Sequence, residues 1–426
     1  MKKYSEMTRE ELTAEKERLQ ARYDKYMKQD LSLNMARGKP SIEQEEASIE
    51  MLDIINSRSN LETEEKQDVL NYGNLMGLIE ARRLFSEILG VPVEKIVIGG
   101  NSSLNMMFDY LMQCFAMGSG EAYEPWVVQG GCKFLCPSPG YDRHFGIAEY
   151  LGLELIPVPM TPTGPDMDIV EELAKDPKVK GMFCVPKYAN PTGQSYSDET
   201  VKRLAKMETA PDFRVIWDNA YVIHDLTGRH DDVLDLLDEC EKAGNPDRAV
   251  LFASTSKVTF PGAGIAVLAA NKDNLDWILK RMDKQTIGAD KINQLRHVRY
   301  FANGLEDVKA HMDKLAGIIT PHFNVVLSTF ERKLKPRDIC TWTNPNGGYF
   351  ISLDCMEGTA TRVYNLCKEC GVTLTTVGAT WPYGKDPKDS NMRIAPTYPS
   401  LEELAIATDV LCIAIRLAAL EKILED

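Results

Sequence analysis

Short apolar runs alternate with amphipathic stretches between residues 75 and 270, and this alternation restricts the fold more than any other feature of the chain. Strands that alternate with helices form a mostly parallel sheet covered by helices on both faces. The expected strands are 95–98, 133–135, 154–157, 181–185, 214–217, 249–253 and 264–269. The expected helices in this stretch are 75–89, 104–115, 171–175 and 198–207. The pattern therefore predicts the α/β class.

The length of the chain predicts more than one domain. At 426 residues it exceeds what one hydrophobic core usually fills. A helix over the first thirty residues opens with a capping box, Thr8 with Glu11, and its sparse apolar content indicates an arm or surface helix. After about residue 292 a long helical region follows, interrupted near Pro321, and then a smaller α+β part. We expect an arm with part of the small domain at 1–48, a large domain at 49–300 and a small domain at 301–426.

Composition and charge exclude several classes of protein. A net charge of −14 disfavours a nucleic-acid surface. The first twenty residues lack the apolar segment of a signal peptide, and no run reaches the ~18 apolar residues that span a bilayer. Ten scattered cysteines include one CxxC pair, 367–370, without the second pair that zinc needs. We expect a cytoplasmic protein without nucleic-acid, membrane or metal partners.

Three motifs follow expected strands in a fixed order. They are Asn190-Pro-Thr-Gly, Asp218-Asn-Ala-Tyr and Ser254-Thr-Ser-Lys257. Parallel strands present their carboxyl ends to one crevice, so these residues are expected to meet there. The motifs supply an amine that can hold an aldehyde, a carboxylate that can keep a pyridine nitrogen protonated, and hydrogen-bond donors for a phenolate. Pyridoxal phosphate (PLP) needs these groups to serve as an electron sink.

These motifs resemble those of fold-type I PLP enzymes of the aspartate aminotransferase superfamily. The segments 101–105, 190–194, 218–221 and 294–299 look most like the MocR-type (gamma-subgroup) aspartate aminotransferases. The resemblance covers nearly the whole chain. It implies a ping-pong transfer of an amino group from an amino acid, aspartate or glutamate first, to a 2-oxo acid. It also implies a homodimer with active sites at the interface.

The resemblance implies a role for each residue around the cofactor ring. Lys257 matches the Schiff-base lysine, which also moves a proton, and Asp218 matches the carboxylate at the pyridine nitrogen. Tyr221 and Asn190 match donors to the phenolic oxygen. Tyr141 matches the aromatic residue that stacks on the ring. His144 matches the histidine that orients the aspartate.

Phosphate and substrate residues are implied in the same way. Phosphate needs backbone N–H groups at a helix start together with hydroxyl groups. The matching residues are Asn101, Ser102, Ser103, Ser254 and Ser256, with Tyr72 reaching the phosphate of the neighbouring subunit. Arg393 matches the fork that grips the substrate α-carboxylate, and Gly38 and Asn190 are expected beside it.

The sequence departs from the family at one position. Gly264 stands where an arginine usually clamps the phosphate. Arg296 and Lys291 are candidates for the missing charge. A second cation for a dicarboxylate is left open among Arg37, Lys39, Lys291, Arg296 and Arg299.

Other functions stay open on the sequence. The same scaffold supports β-elimination and decarboxylation, and alanine, aromatic or aminoadipate substrates are compatible with these motifs. MocR-type regulators use the domain as a ligand sensor, but they carry a basic winged-helix domain ahead of it. The thirty residues before the Gly38 loop leave no room for one.

Overall fold

A computed structural model describes residues 2–425 and confirms the α/β class. The described chain forms fifteen α-helices: α1 Arg9–Met27, α2 Ile42–Glu46, α3 Met51–Ile54, α4 Ile79–Leu89, α5 Ser103–Met117, α6 Trp126–Gln129, α7 Asp142–Tyr150, α8 Met167–Leu173, α9 Asp198–Lys206, α10 Leu236–Lys242, α11 Lys272–Gln285, α12 Lys291–Tyr300, α13 Leu305–Lys333, α14 Ala360–Glu369 and α15 Leu401–Glu425. Short 3₁₀ turns lie at Tyr4–Glu6, Val93–Lys95, Lys335–Arg337 and Pro382–Gly384.

The same residues form thirteen strands in three sheets. The strands are β1 Leu33–Asn34, β2 Ile96–Ile98, β3 Lys133–Ser138, β4 Glu154–Thr161, β5 Gly164–Pro165, β6 Val179–Cys184, β7 Arg214–Asp218, β8 Ala249–Ser254, β9 Ala266–Ala269, β10 Cys340–Trp342, β11 Ile351–Cys355, β12 Val372–Thr373 and β13 Asn391–Ile394. Eight of them form one sheet in the order β2-β9-β8-β7-β6-β3-β4-β5. Its central strands are parallel, and β2, β9 and β5 pair antiparallel at its edges.

The central strands are mainly apolar because both faces of the large sheet are covered. Along β7, Val215 and Trp217 point to one core, while Ile216 points to the core on the opposite face. Helices α4, α8, α9, α10 and α12 pack on the first face, and α5, α6, α7 and α11 pack on the second. An unbroken apolar run is what strands buried on both faces require.

A separate core holds the two ends of the chain together. The antiparallel sheet β10-β11-β13 and the parallel pair β1-β12 pack with α13, α14 and α15. Helix α1 is not the surface helix that its composition indicated, since Leu12, Leu19 and Tyr23 form a narrow buried stripe against this core. Glu15 in the same helix is buried and accepts hydrogen bonds from Arg337 and Arg416. One narrow stripe of three buried side chains is enough to dock a helix whose other faces are polar.

Three predictions about helix boundaries are wrong, two at helix starts and one at Pro321. Helix α4 begins at Ile79 instead of residue 75, because Asn74 and Gly77 hold positive φ in the preceding turn. Helix α8 begins at Met167 because Asp166 caps it, accepting from the N–H groups of Asp168 and Ile169.

The predicted break at Pro321 is also wrong, since α13 runs through this proline as one helix. Ile319 and Phe323 on either side of it are buried in the core, and this packing holds the helix across the missing hydrogen bond. The interruption lies instead between α12 and α13, at Gly304, whose φ is +62°.

Membrane-spanning helices and clusters of metal ligands are both absent from the described residues. In residues 2–425 no helix has the length and apolar character needed to cross a bilayer. No cluster of three or more metal-ligating side chains occurs in the same range.

Candidate active site

Three neighbouring parallel strands bring the predicted residues to one edge of the large sheet. Asp218 is the last residue of β7, Lys257 lies three residues after the end of β8, and Asn190 lies six residues after the end of β6. Strands β6, β7 and β8 are adjacent and parallel. Their carboxyl ends therefore form one cleft, as the strand assignments predicted.

Asp218 is buried, and only one of its two carboxylate oxygens has a hydrogen-bond partner in the described chain. His144 Nε2 lies 2.8 Å from Asp218 Oδ2, and because a carboxylate only accepts, the ring donates this hydrogen bond. The imidazole is itself fixed by stacking on Phe183, with ring centroids 4.7 Å apart. Asp218 Oδ1 is buried and has no hydrogen-bond partner within residues 2–425. A buried carboxylate oxygen without a donor is costly, so this atom marks a place for an N–H group of a ligand.

Lys257 faces the same cleft across two aromatic rings. Its Nζ lies 5.1 Å from the ring centroid of Tyr221 and 5.9 Å from that of Tyr349. Burial lowers the pKa of the Lys257 amine below its usual value, and the negative charge of Asp218 partly opposes this shift. A lowered pKa enlarges the neutral, nucleophilic fraction of the amine.

Two tyrosines complete the cleft around Asp218. Burial raises the pKa of Tyr221 well above its usual value, so its hydroxyl stays protonated and can donate. That hydroxyl has no protein partner in the part of the chain that the structure describes. Burial, together with the charges of Asp218 and Asp142, raises the pKa of Tyr141 to about 12. The Tyr141 ring lies against His144 in an edge-to-face contact, 4.8 Å between centroids.

The helix start predicted to hold a phosphate lies next to the lysine loop. Helix α5 begins at Ser103, and Ser102 precedes it in an extended conformation. The Ser256 hydroxyl lies 3.4 Å from the carbonyl of Asn101, and the Ser254 hydroxyl donates to Ser256 over 3.0 Å. The five predicted phosphate residues therefore lie on two segments in contact, one at the start of α5 and one at the end of β8.

The structure gives a reason for the missing arginine at position 264. A Cβ on Gly264 would lie 3.0 Å from Thr255 Oγ1 and 3.2 Å from the N atom of Ser256, so a side chain would press on the lysine loop. Asn293 donates to the Gly264 carbonyl over 2.8 Å and accepts from Arg296. Lys291 instead donates to the carbonyls of Asn71 and Gly73, over 2.5 and 3.1 Å. Of the two candidate cations, only Arg296 is linked to the Gly264 position.

Arg393 lies across the cleft, on strand β13 of the small sheet. Its Nη1 donates to Asp142 Oδ1 over 2.8 Å and to Asn190 Oδ1 over 3.3 Å. The guanidinium also lies 5.1 Å from the ring centroid of Phe350. A Cβ on Gly38 would fall 2.1 Å from Phe350 Cζ, so only glycine lets the amino-terminal segment approach this ring. Asn190 thus contacts Arg393 directly, and Gly38 contacts the ring of Phe350.

Comparison with known proteins fixes the family of the chain. Residues 7–426 match the family described as aspartate amino-transferase. The chain belongs to this family. A relative in Corynebacterium glutamicum, named aspartate aminotransferase, is 44% identical over 406 residues, which are 95% of this chain and 94% of that protein. The chain is therefore an aminotransferase, as predicted.

Solved structures agree with the fold of this aminotransferase. A crystal structure of an aspartate transaminase from C. glutamicum is 43% identical, covers 97% of each chain and has a TM-score of 0.94. An α-aminoadipate aminotransferase from Thermus thermophilus, complexed with N-(5'-phosphopyridoxyl)-L-leucine, is 21% identical. It covers 92% of this chain and 93% of that chain, with a TM-score of 0.73, and shows the fold alone.

The surroundings of two further predicted residues of the aminotransferase are also defined in the single chain. Tyr72 is 83% exposed on the surface of the single chain. Lys39 stacks over the ring of Tyr398, 4.0 Å from its centroid. The structure thus leaves the second cation for a dicarboxylate unassigned.

Other residues of the cleft were missed by the sequence reasoning. Asp142 pairs with Arg393, and Tyr349 faces Lys257. His224 is buried beside Tyr221, 5.6 Å between ring centroids, and neither of its ring nitrogens has a partner in the described chain. Burial and the charge of Lys257 lower the pKa of His224 to about 3. Its position three residues after the end of the Asp218–Tyr221 motif was the available signal.

Proposed function

We propose that this aminotransferase uses PLP to exchange an amino group between aspartate or glutamate and a 2-oxo acid in two half-reactions. The observation that carries the proposal is the buried, unpartnered Asp218 Oδ1 at the end of β7, close to the amine of Lys257. A carboxylate kept in place by His144 and lacking a second donor suits a protonated ring nitrogen.

The remaining polar groups of the cleft fit the same cofactor. Asn190 uses its amide oxygen to accept from Arg393, so its Nδ2 group is left to donate. The Tyr221 hydroxyl would donate to the same phenolic oxygen. The start of α5, with Ser254 and Ser256, would hold the phosphate, and Arg296 would supply positive charge near it.

Each residue then has a defined task. When bound, PLP supplies an electron sink for the bond broken at the substrate Cα. Lys257 would hold the aldehyde carbon and, once displaced by substrate, move a proton at Cα. Asp218 would keep the ring nitrogen protonated, His144 would hold Asp218 in place, and Tyr141 would pack against the ring.

Substrate recognition is the finer part of the proposal. Arg393 would bind the α-carboxylate, with Asn190 in contact with it and Gly38 lying against the neighbouring ring of Phe350. Aspartate is the first candidate because the relative at 44% identity is named for it. Exposed Tyr72 would reach the site of a second copy in a homodimer. The proposal also includes domains at 1–48, 49–300 and 301–426, and a cytoplasmic location, where ten unpaired cysteines persist.

A single-turnover experiment tests the function. Cofactor-loaded protein mixed with aspartate alone should release one equivalent of oxaloacetate per chain and stop until a 2-oxo acid is added. Lys257→Ala should abolish this release, because Lys257 is the amine proposed to hold the cofactor aldehyde, while Lys272→Ala at an exposed position should not change it. Continuous release of CO2 with formation of alanine or β-alanine would contradict transamination, and full turnover by Lys257→Ala would remove the lysine from its role.

A further inference from the structure

Asp142 forms an ion pair with Arg393, the residue that is expected to bind the substrate α-carboxylate. It is the first residue of α7, on the large-sheet side of the cleft, and follows Tyr141 directly. Its Oδ1 accepts from Arg393 Nη1 over 2.8 Å, shorter than the 3.3 Å contact of the same nitrogen with Asn190. The ion pair therefore spans the cleft from the large sheet to strand β13.

Arg393 and Asp142 differ in how well water can solvate each charge when the ion pair breaks. The Arg393 side chain is only 10% exposed, so without a counter-charge its guanidinium would be left partly buried and unpaired. The Asp142 side chain is 36% exposed and can be solvated by water when released. An incoming carboxylate can thus replace Asp142 on Arg393 without leaving a buried charge behind.

We infer that Asp142 is an internal competitor for the carboxylate site, which pairs with Arg393 between turnovers and must be displaced by every substrate. The inference rests on the proposed role of Arg393. A substrate carboxylate on Arg393 lies close to a like charge on Asp142, and like charges at this range repel. Asp142 accordingly weakens the binding of amino acids and 2-oxo acids alike, and leaves the chemical step at Lys257 unchanged.

The test measures carboxylate binding apart from catalysis. Succinate carries the carboxylates but no reacting group, so titration calorimetry on the cofactor-loaded enzyme reports binding alone. Asp142→Asn keeps the shape of the side chain and removes its charge, and succinate should bind about two- to fivefold more tightly, the worth of one partly exposed ion pair. KM for aspartate and for the 2-oxo acid should fall by a similar factor, with kcat unchanged.

Two variants keep the test decisive. Glu149→Gln lies on the exposed side of the same helix, makes the same change in net charge and should leave succinate binding unchanged. Asp142→Ser removes the charge with a smaller side chain and should also tighten binding. Unchanged or weaker binding in both Asp142 variants would overturn the inference and make Asp142 a support for Arg393 in the bound state. If succinate binds Arg393→Ala as well as it binds the native enzyme, the proposed role of Arg393 fails, and this inference fails with it.

Discussion

The two sides of the cleft are built by different means. On the large-sheet side, backbone pairing fixes Asp218 at the end of β7, and Lys257 lies in the loop three residues after the end of the neighbouring strand β8. On the small-sheet side, Arg393 stands on β13 and is held by side chains from across the cleft, Asp142 and Asn190. The groups assigned to bond breaking are thus fixed by topology, whereas the group assigned to substrate capture is held by contacts that a ligand can exchange.

Removing the charge of Asp218 is expected to have the largest effect, because its carboxylate is the group proposed to keep the ring nitrogen protonated. Asp218→Asn should lower kcat roughly 100- to 1000-fold, the usual cost of losing one well-placed electrostatic group. KM should change little, since Arg393 remains. Steady-state kinetics at saturating cofactor measures both, with bound cofactor quantified by absorbance. A kcat within threefold of the native value would show that the orphaned oxygen of Asp218 does not act on the ring nitrogen.

Truncating Arg393 should give the opposite pattern on the small-sheet side. Arg393→Ala removes a charged partner from a largely desolvated contact, which costs about 2–5 kcal/mol and raises KM roughly 30-fold or more. The increase should be similar for every amino acid and oxo acid, because all share the α-carboxylate. A panel of amino acids assayed with one oxo acid checks this. An unchanged KM would remove Arg393 from carboxylate binding.

The sheet side was predictable from the sequence, for a physical reason. Strands buried on both faces leave unbroken apolar runs, so the ends of β6, β7 and β8 could be located, and the motifs after them followed. Boundaries set by single side-chain or backbone events were not predictable. The Asp166 cap and the positive φ of Asn74 and Gly77 moved helix starts by several residues without changing the apolar pattern.

The small-sheet side was predictable only in part. Arg393 was found through the resemblance, but its partner Asp142 lies 251 residues away, and no local pattern links the two positions. Helix α1 carries too few apolar residues to signal burial, and its docking depends on a core formed by distant strands and α15. Contacts between remote segments are set by packing geometry, which a single sequence does not display.

Acid should destabilise the Lys257 loop through His297. His297 in α12 is buried, lies 3.0 Å from Thr259 Oγ1 and 3.3 Å from Thr255 Oγ1, and donates from Nδ1 to the Asn293 carbonyl. Burial lowers its pKa to about 4. The unfolded chain, with a histidine pKa of about 6.5, takes up the proton first. The stability that neutral His297 contributes is therefore complete above pH 6.5 and is lost as pH falls towards 4, by about 1.4 kcal/mol per pH unit.

Urea unfolding of the cofactor-free protein between pH 7 and 4.5 measures this loss. His297→Gln cannot take up a proton, so its free energy of unfolding should fall less steeply with acid than that of the native protein. His230 is the matched control, because Asp225 and Asp232 raise its pKa, and its contribution is present at low pH and lost as pH rises. His230→Gln should therefore steepen the acid loss slightly. Equal slopes for His297→Gln and the native protein would show that the lysine loop does not depend on a neutral histidine, and the sheet side would then owe its acid sensitivity to other groups.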